Sequence, residues 1–312
     1  MTNRRSAAAL SLMMSLAACA TGLGGGNVLD VGPSQRLKLP SQAAAAARPG
    51  DIIRIAPGDY TDCAVWRTSK LTIEATGEGA TLADKTCADK AIFVITGNDI
   101  TVRNLTFARA SVPDANGAGI RAEGRNLTIE HSMFIDNENG ILANTVPGST
   151  IRIVDSEFRG NGKCDEQCAH GIYVNVIDRL EIEHSRFIDQ HVGHHIKSRA
   201  RNTVLIDNDI ADGPNGNSSY LVDIPNGGDV LMQGNRLQKG KLTENQGTAV
   251  PIGEEGVKNP THELIIRDND FTSDLPAPTV FVRNGTAVPA TLSGNHLQSR
   301  ITPLVGPGTV TP

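Results

Sequence analysis

Apolar and polar residues alternate along this chain in short bursts, and the bursts recur. An eight-residue unit reads ITVRNLTF from Ile100, LTIEHSMF from Leu127, IRIVDSEF from Ile151, LEIEHSRF from Leu180, TVLIDNDI from Thr203, VLMQGNRL from Val230, LIIRDNDF from Leu264 and ATLSGNHL from Ala290, with a weaker copy from Leu71. Each copy is an alternating run, a polar corner of Asn, Asp, Ser or Gly, and a further apolar residue, which predicts strand, bend, strand. The copies start about 23 to 34 residues apart, the length of one coil of a parallel solenoid with its loops. Strands of successive coils then stack about 4.8 Å apart, and Val, Ile, Leu and Phe form interior ladders. Asn208, Asn235, Asn269 and Asn295 share one position of the repeat. Asn there tolerates left-handed backbone geometry and can hydrogen-bond its equivalents above and below. Antiparallel hairpins would need two-residue turns at other spacings. The pattern therefore predicts an all-β chain folded as a single-stranded right-handed parallel β-helix.

An open solenoid end exposes unpaired strand edges and has to be covered. Pro33-Ser34-Gln35 and the run Ala43 to Ala47 predict a capping helix over residues 34–48, with PGDIIRIAPGDY from Pro49 as the first coil. This opening, together with the repeats, resembles pectate-lyase-like β-helix proteins over nearly the whole chain beyond its leader. The resemblance implies the fold and names no reaction, because the fold hosts lyases, hydrolases, epimerases, esterases and adhesins.

Upstream, Arg4 and Arg5 precede an apolar run from Ala7 to Ala18, too short to remain as a membrane span and suited to a removable export signal over residues 1–18. The sequence Leu16-Ala17-Ala18-Cys19 resembles a bacterial lipobox, which implies cleavage before Cys19 and acylation of its thiol. The Gly-rich stretch from Gly22 to Asn27 suits a flexible tether over residues 19–33, leaving residues 34–312 as the β-helix domain. Ala20, where an inner-membrane retention signal would place Asp, points to the outer membrane. The expected address is the cell envelope, outer membrane or periplasm, with a lipid anchor as the membrane contact.

Aromatic residues make up 4% of the chain and glycines number 32, which suits short strands and turns better than long amphipathic helices. A net charge of -5 argues against general nucleic-acid affinity, so any basic site has to be local. An oxidising compartment permits the remaining cysteines to pair. Cys63 and Cys87 lie about one coil apart and Cys164 and Cys168 within one loop, so two bridges are the simplest assignment; metal binding is the rival, without a full ligand set. No metal or cofactor is expected, and the chain is read as a monomer.

One stretch departs from the repeat's composition. VGHHIKSRAR crowds His194, His195, Lys197, Arg199 and Arg201 into one coil; the coil before it carries His170 and Tyr173, and the coil after it Tyr220 and Asp223. With Ile172, Ile196 and Val222 pointing inward, alternation sends Tyr173, Lys197 and Asp223 outward in one column. His170, His194 and Tyr220 form a second column beside it.

Elimination on a uronic acid needs a cation on the carboxylate, a base for the C5 proton and an acid for the leaving oxygen. Lys197 or a histidine is the expected base and Tyr173 or Tyr220 the acid. Arg199 or Arg201 neutralises the carboxylate, and His195 and Glu255 contribute to binding. Lys197-Ser198 opening a coil resembles β-helix alginate and chondroitin lyases, which implies Lys197 as base. The next coil reads Asp223-Ile224-Pro225 where those lyases place an Arg, and Gln190 and Val192 replace their acidic metal ligands.

The expected function is thus a polysaccharide lyase on an anionic glycan. A hydrolase using Asp223 with Glu254 or Glu255, and a non-catalytic glycan-binding surface module, are the alternatives.

Overall fold

The computed structural model describes residues 26–312 apart from residues 78, 166 and 167. The expected export signal and Cys19, the expected acylation site, lie outside the described residues. Among the described residues the chain winds through about eleven turns of a right-handed parallel β-helix with one short helix. A twelve-stranded sheet runs from Val28–Val31 to Gly308–Thr311, and a ten-stranded sheet runs from Gly58–Tyr60 to His296–Leu297. The third wall has seven strands from Ala64–Trp66 to Tyr220–Asp223 and is continued, through a bridge between Ile224 and Ile252, by Thr248–Ile252, Thr279–Asn284 and Ile301–Val305. Each eight-residue unit spans the corner between the first two walls: Arg179–Glu183 on one, then Arg186–Ile188 on the other.

That corner differs from the expectation in one respect. The positive φ falls on Asp207, Gly234, Asp268 and Gly294, and each Asn is the residue after it. The left-handed residue turns the chain, which aims the next side chain inward. There it accepts a backbone N–H from the preceding coil: Asn208 N–H donates to Asn235 Oδ1 (3.0 Å), Asn235 N–H to Asn269 Oδ1 (2.9 Å) and Asn269 N–H to Asn295 Oδ1 (3.1 Å). Nearer the start of the chain serine does the same work, with Ser132 N–H donating to Ser156 Oγ and Ser156 N–H to Ser185 Oγ.

Inside, Phe107, Phe134, Phe158 and Phe187 stack with ring centroids 5.2, 4.6 and 4.7 Å apart. Each fully buried ring contributes roughly 1.5–3 kcal/mol by removal from water.

The cap is shorter than expected. The helix spans Pro40–Ala46 and opens on Pro40, whose missing N–H costs nothing in a first turn. Leu37 is taken up instead by a bridge to Val31. Residues 28–31, expected within the tether, instead form the end strand of the first wall, where Val28–Val31 pairs with Ile52–Ile55. Cys63 is joined to Cys87, and Cys164 to Cys168.

Asn235→Ala leaves the buried Asn208 N–H and the Leu205 carbonyl without their partners. Each orphaned group costs about 1–3 kcal/mol, so the unfolding free energy from urea titration is expected to fall by that order and the midpoint with it. An unchanged midpoint would show that the amide ladder does not support the corner.

Candidate functional site

The site lies on the third wall, where three consecutive strands carry it: Ile172–Val174, His194–Ser198 and Tyr220–Asp223. Their register pairs Ile172 with Ile196 and Val222, and Tyr173 with Lys197 and Asp223. A strict two-residue period from Ile196 would send His194 inside. Instead His195 and Ile196 are both buried, as are Leu221 and Val222 after Tyr220. This break in alternation brings His194 to the same outer face as Lys197. The structure thus gathers His170, Tyr173, His194, Lys197, Tyr220 and Asp223 on one wall.

Three rings stack along it. His170 and His194 are 4.8 Å apart between centroids and His194 and Tyr220 5.1 Å, while Tyr173 meets His170 edge-on at 5.2 Å. Backbone N–H groups set the imidazole tautomers. His194 N–H donates to His170 Nδ1 (3.0 Å) and Tyr220 N–H to His194 Nδ1 (3.2 Å), so the proton of each neutral ring sits on Nε2. Burial pushes His170 down to about 3, helped by the positive charges of Lys197 and Arg199, and holds His194 well below its ordinary value. Both rings are therefore neutral N–H donors. Gly193 permits this stack: at φ +55 it passes so close to Ala169 and His170 that a side chain there would collide with both.

Lys197 is at the centre of the charges. Its Nζ is 3.1 Å from Asp223 Oδ2 and 2.9 Å from Glu255 Oε1. Burial alone would lower the amine, but the two carboxylates outweigh it and hold Lys197 above its ordinary value. Asp223 is buried between Lys197 and His194, whose Nε2 is 3.4 Å from the same Oδ2. Burial lifts its carboxyl to about 6 against the pull of Lys197, with Glu255 and Glu254 adding to the rise.

Arg199 gives its Nε–H to the Tyr173 hydroxyl (3.0 Å), one amine to Glu255 Oε2 (2.7 Å) and the other to Asn226 Oδ1. Burial is again outweighed, and Glu255 is held below the ordinary carboxylate range by hydrogen bonds to Lys197 and Arg199. Tyr220 donates to Glu254 Oε2 (2.9 Å), and burial with that carboxylate lifts its phenol to about 12.

A cleft of about 380 Å3 opens over His170, Tyr173, His194, Lys197 and Arg199, with Ser219, Glu244 and Cys168 at its rim. A second cleft of about 380 Å3, containing Arg121, Asn116 and Asn175, shares Tyr173 and Cys168 with it. The two clefts adjoin at these shared residues. A larger concavity, about 930 Å3, lies on the ten-stranded wall around Ala211, Phe271 and Leu297, apart from these groups.

Two expected binding residues are elsewhere. His195 faces the interior, 1% exposed, with Nε2 3.1 Å from the buried Asp212. The alternation break that exposes His194 turns it inward. Arg201 lies exposed at the corner leading into Asn202–Ile206, and its place on that corner separates it from the cluster. The stretch read as basic is also not a free positive patch, because Lys197 and Arg199 are both paired with carboxylates from other coils. Sequence reading passed over Asn226, although its place in the Pro225-Asn226-Gly227-Gly228 turn was a signal of special backbone geometry. It also passed over Ser219 and Glu244, which no local pattern marks.

A family described as right handed beta helix region matches residues 57–210. No curated protein matches the chain. Among solved structures it is similar to the pectate lyase Pel9A, at 14% identity and TM-score 0.54, covering 93% of this chain and 78% of that one. It is also similar to a DFA-IIIase from Arthrobacter chlorophenolicus A6 in complex with DFA-III, at 12% identity and TM-score 0.50, covering 89% and 86%. A third similar structure is a pectin methylesterase from Aspergillus niger, at 11% identity and TM-score 0.48, covering 90% and 91%. Identities this low show the shared fold alone.

The depressed His170 has a stability consequence. Below its ordinary 6.5 the unfolded chain binds a proton that the folded chain refuses down to about 3. Stability from this group is therefore full above pH 6.5 and lost as pH falls. Asp223, raised from 3.8 to about 6, acts with the opposite sign, so the test is a difference between proteins. His170→Asn should flatten the loss of stability between pH 6 and 4.5 by up to about 1.4 kcal/mol per pH unit. Equal slopes in denaturant titrations of the variant and the parent would contradict a neutral buried His170.

Proposed function

We propose that this chain is a polysaccharide lyase that cleaves a uronate-containing glycan by β-elimination in the groove over His170, Tyr173, Lys197 and Asp223. The observation that carries the reading is Asp223. It is a buried carboxyl lifted to about 6 by desolvation, in contact with Lys197, which lines the cleft. A base is most effective when its pKa lies near the working pH. Lys197 remains an ammonium between two carboxylates, and the histidines present N–H rather than a lone pair, so the expected base role passes from them to Asp223.

In the proposed reaction Lys197 and Arg199 neutralise the sugar carboxylate, which acidifies the adjacent C5–H. Asp223 takes that proton, the electron pair of the C5–H bond forms the C4–C5 double bond, and the C4–O4 bond breaks. Tyr173 gives its proton to the leaving oxygen. Its hydroxyl oxygen is already engaged by Arg199, which leaves the proton free and stabilises the phenolate that forms. His170 supplies an Nε2–H donor for a substrate hydroxyl, while the His194 Nε2–H faces Asp223. The same fold carries a pectate lyase, which is compatible with this substrate class. The lipid anchor proposed at Cys19 would hold the groove in the cell envelope, where such polymers are met.

Hydrolysis is the second reading, favoured by one observation: Asp223 is raised while Glu255 is lowered, with both touching Lys197. Carboxyls driven apart in this way are the mark of an acid and base pair.

Incubation with galacturonate, mannuronate and guluronate polymers should produce ultraviolet-absorbing unsaturated ends. New reducing ends without that absorbance would replace the lyase with the hydrolase. Asp223→Asn and Tyr173→Phe should each lower kcat/KM by on the order of 10²- to 10⁴-fold, and Lys197→Ala should abolish turnover with folding intact. The rate should rise as pH passes upward through about 6, the value for Asp223, since the base must be ionised. A rate that falls over that interval would remove Asp223 from the base role.

A further inference from the structure

Glu255 reaches the site from the coil after the three strands that carry it, beside Glu254, which accepts from Tyr220. It follows Thr248–Ile252 in the turn Gly253-Glu254-Glu255-Gly256, and its two oxygens divide between two cations, Oε1 on Lys197 at 2.9 Å and Oε2 on Arg199 at 2.7 Å. The cations are nearly covered, with side chains 11% and 16% exposed, whereas Glu255 is 44% exposed. One carboxylate with each oxygen on a separate cation is also the geometry in which the pair would grip a carboxylate arriving from solution.

We propose that Lys197 and Arg199 form a carboxylate subsite and that Glu255 is its resident occupant, holding the position a uronate carboxylate takes when the glycan binds. This rests on the uronate reading above and adds that the chain's own side chain competes with substrate. The cations do not need Glu255 for their placement. Lys197 keeps Asp223, and Arg199 keeps the Tyr173 hydroxyl and Asn226.

Nor does the backbone have to move for Glu255 to leave. The turn is pinned by Gly253 N–H to Ile224 O (2.8 Å), Glu255 N–H to Pro225 O (2.9 Å) and Asn226 Nδ2–H to Gly256 O (3.1 Å). The side chain alone swings outward, toward a flank where the Cβ position of Gly256 meets nothing within 4 Å. Glu255 is the exposed partner of both pairs, so an incoming carboxylate can reach and exchange with it. The occupant also keeps two neighbouring cations from facing each other uncompensated in the empty groove.

The test measures binding apart from turnover. Tyr173→Phe and Tyr173→Phe/Glu255→Gln proteins, in which Lys197 keeps Asp223 and Arg199 keeps Asn226, are titrated calorimetrically with galacturonate, mannuronate and guluronate oligomers and with a neutral oligosaccharide of equal length. Glu255→Ala in the same background serves as a second variant, since glutamine can still accept one hydrogen bond. Loss of the occupant should tighten binding of the preferred acidic oligomer at least fivefold, steepen its salt dependence and leave the neutral oligomer unaffected. A further Arg199→Gln change should cancel the gain.

Unchanged or weaker acidic binding in both Glu255 variants would overturn the proposal, whatever the parent protein does to polymer. Tighter acidic binding without unsaturated product from the parent would uphold the subsite and defeat the lyase. Loss of turnover in Glu255→Gln, with reducing ends lacking ultraviolet absorbance in the parent, would make Glu255 a hydrolytic carboxylate and overturn both.

Discussion

Parallel, in-register stacking of coils is the constraint on which everything else depends, and the corner side chains that accept backbone N–H groups enforce it. A turn in a solenoid cannot complete its hydrogen bonds locally, and a buried N–H without a partner is expensive. Here serine and asparagine oxygens close that gap one coil away, from Ser132 through Asn295. The ladder works only if each coil sits directly over the last. The same vertical alignment stacks the phenylalanines inside and the His170, His194 and Tyr220 rings outside.

The outer wall shows how burial and charge are balanced at the site. Asp223 is almost without water, which favours its neutral form, yet it lies against an ammonium that favours the ionised one. Burial prevails by a margin that leaves the carboxyl titrating near neutrality. The histidines are settled differently: with backbone N–H groups aimed at Nδ1 and cations nearby, they have no reason to take a second proton. A cluster that reads as basic along the chain therefore becomes, once folded, a nearly balanced set of pairs. Two of its carboxylates, Asp223 and Glu255, come from later coils.

Much of this was visible before any coordinates. The eight-residue unit states the strand, corner and strand of two walls, and its recurrence states the stacking. Ile172, Ile196 and Val222 then align Tyr173, Lys197 and Asp223 by period-two reasoning alone. The details that escaped depend on a local exception or on loops. His195 was expected outside, but consecutive buried residues at positions 195 and 196 reverse the phase. Asn208 and its equivalents were assigned the left-handed backbone that belongs to the residue before each. Arg201 was grouped with Lys197 by nearness in sequence, although a corner intervenes.

The sequence by itself determined the coil, its corner and the wall on which the clustered polar groups gather, because a solenoid converts a linear repeat directly into position. Only the tertiary structure decided what those groups are chemically. Whether Lys197 is a base or a cation, whether a histidine accepts or donates, and which carboxyl titrates near neutral pH all depend on partners 24 to 58 residues away and on exclusion of water. Such quantities are set by three-dimensional surroundings, and residue order does not encode them locally.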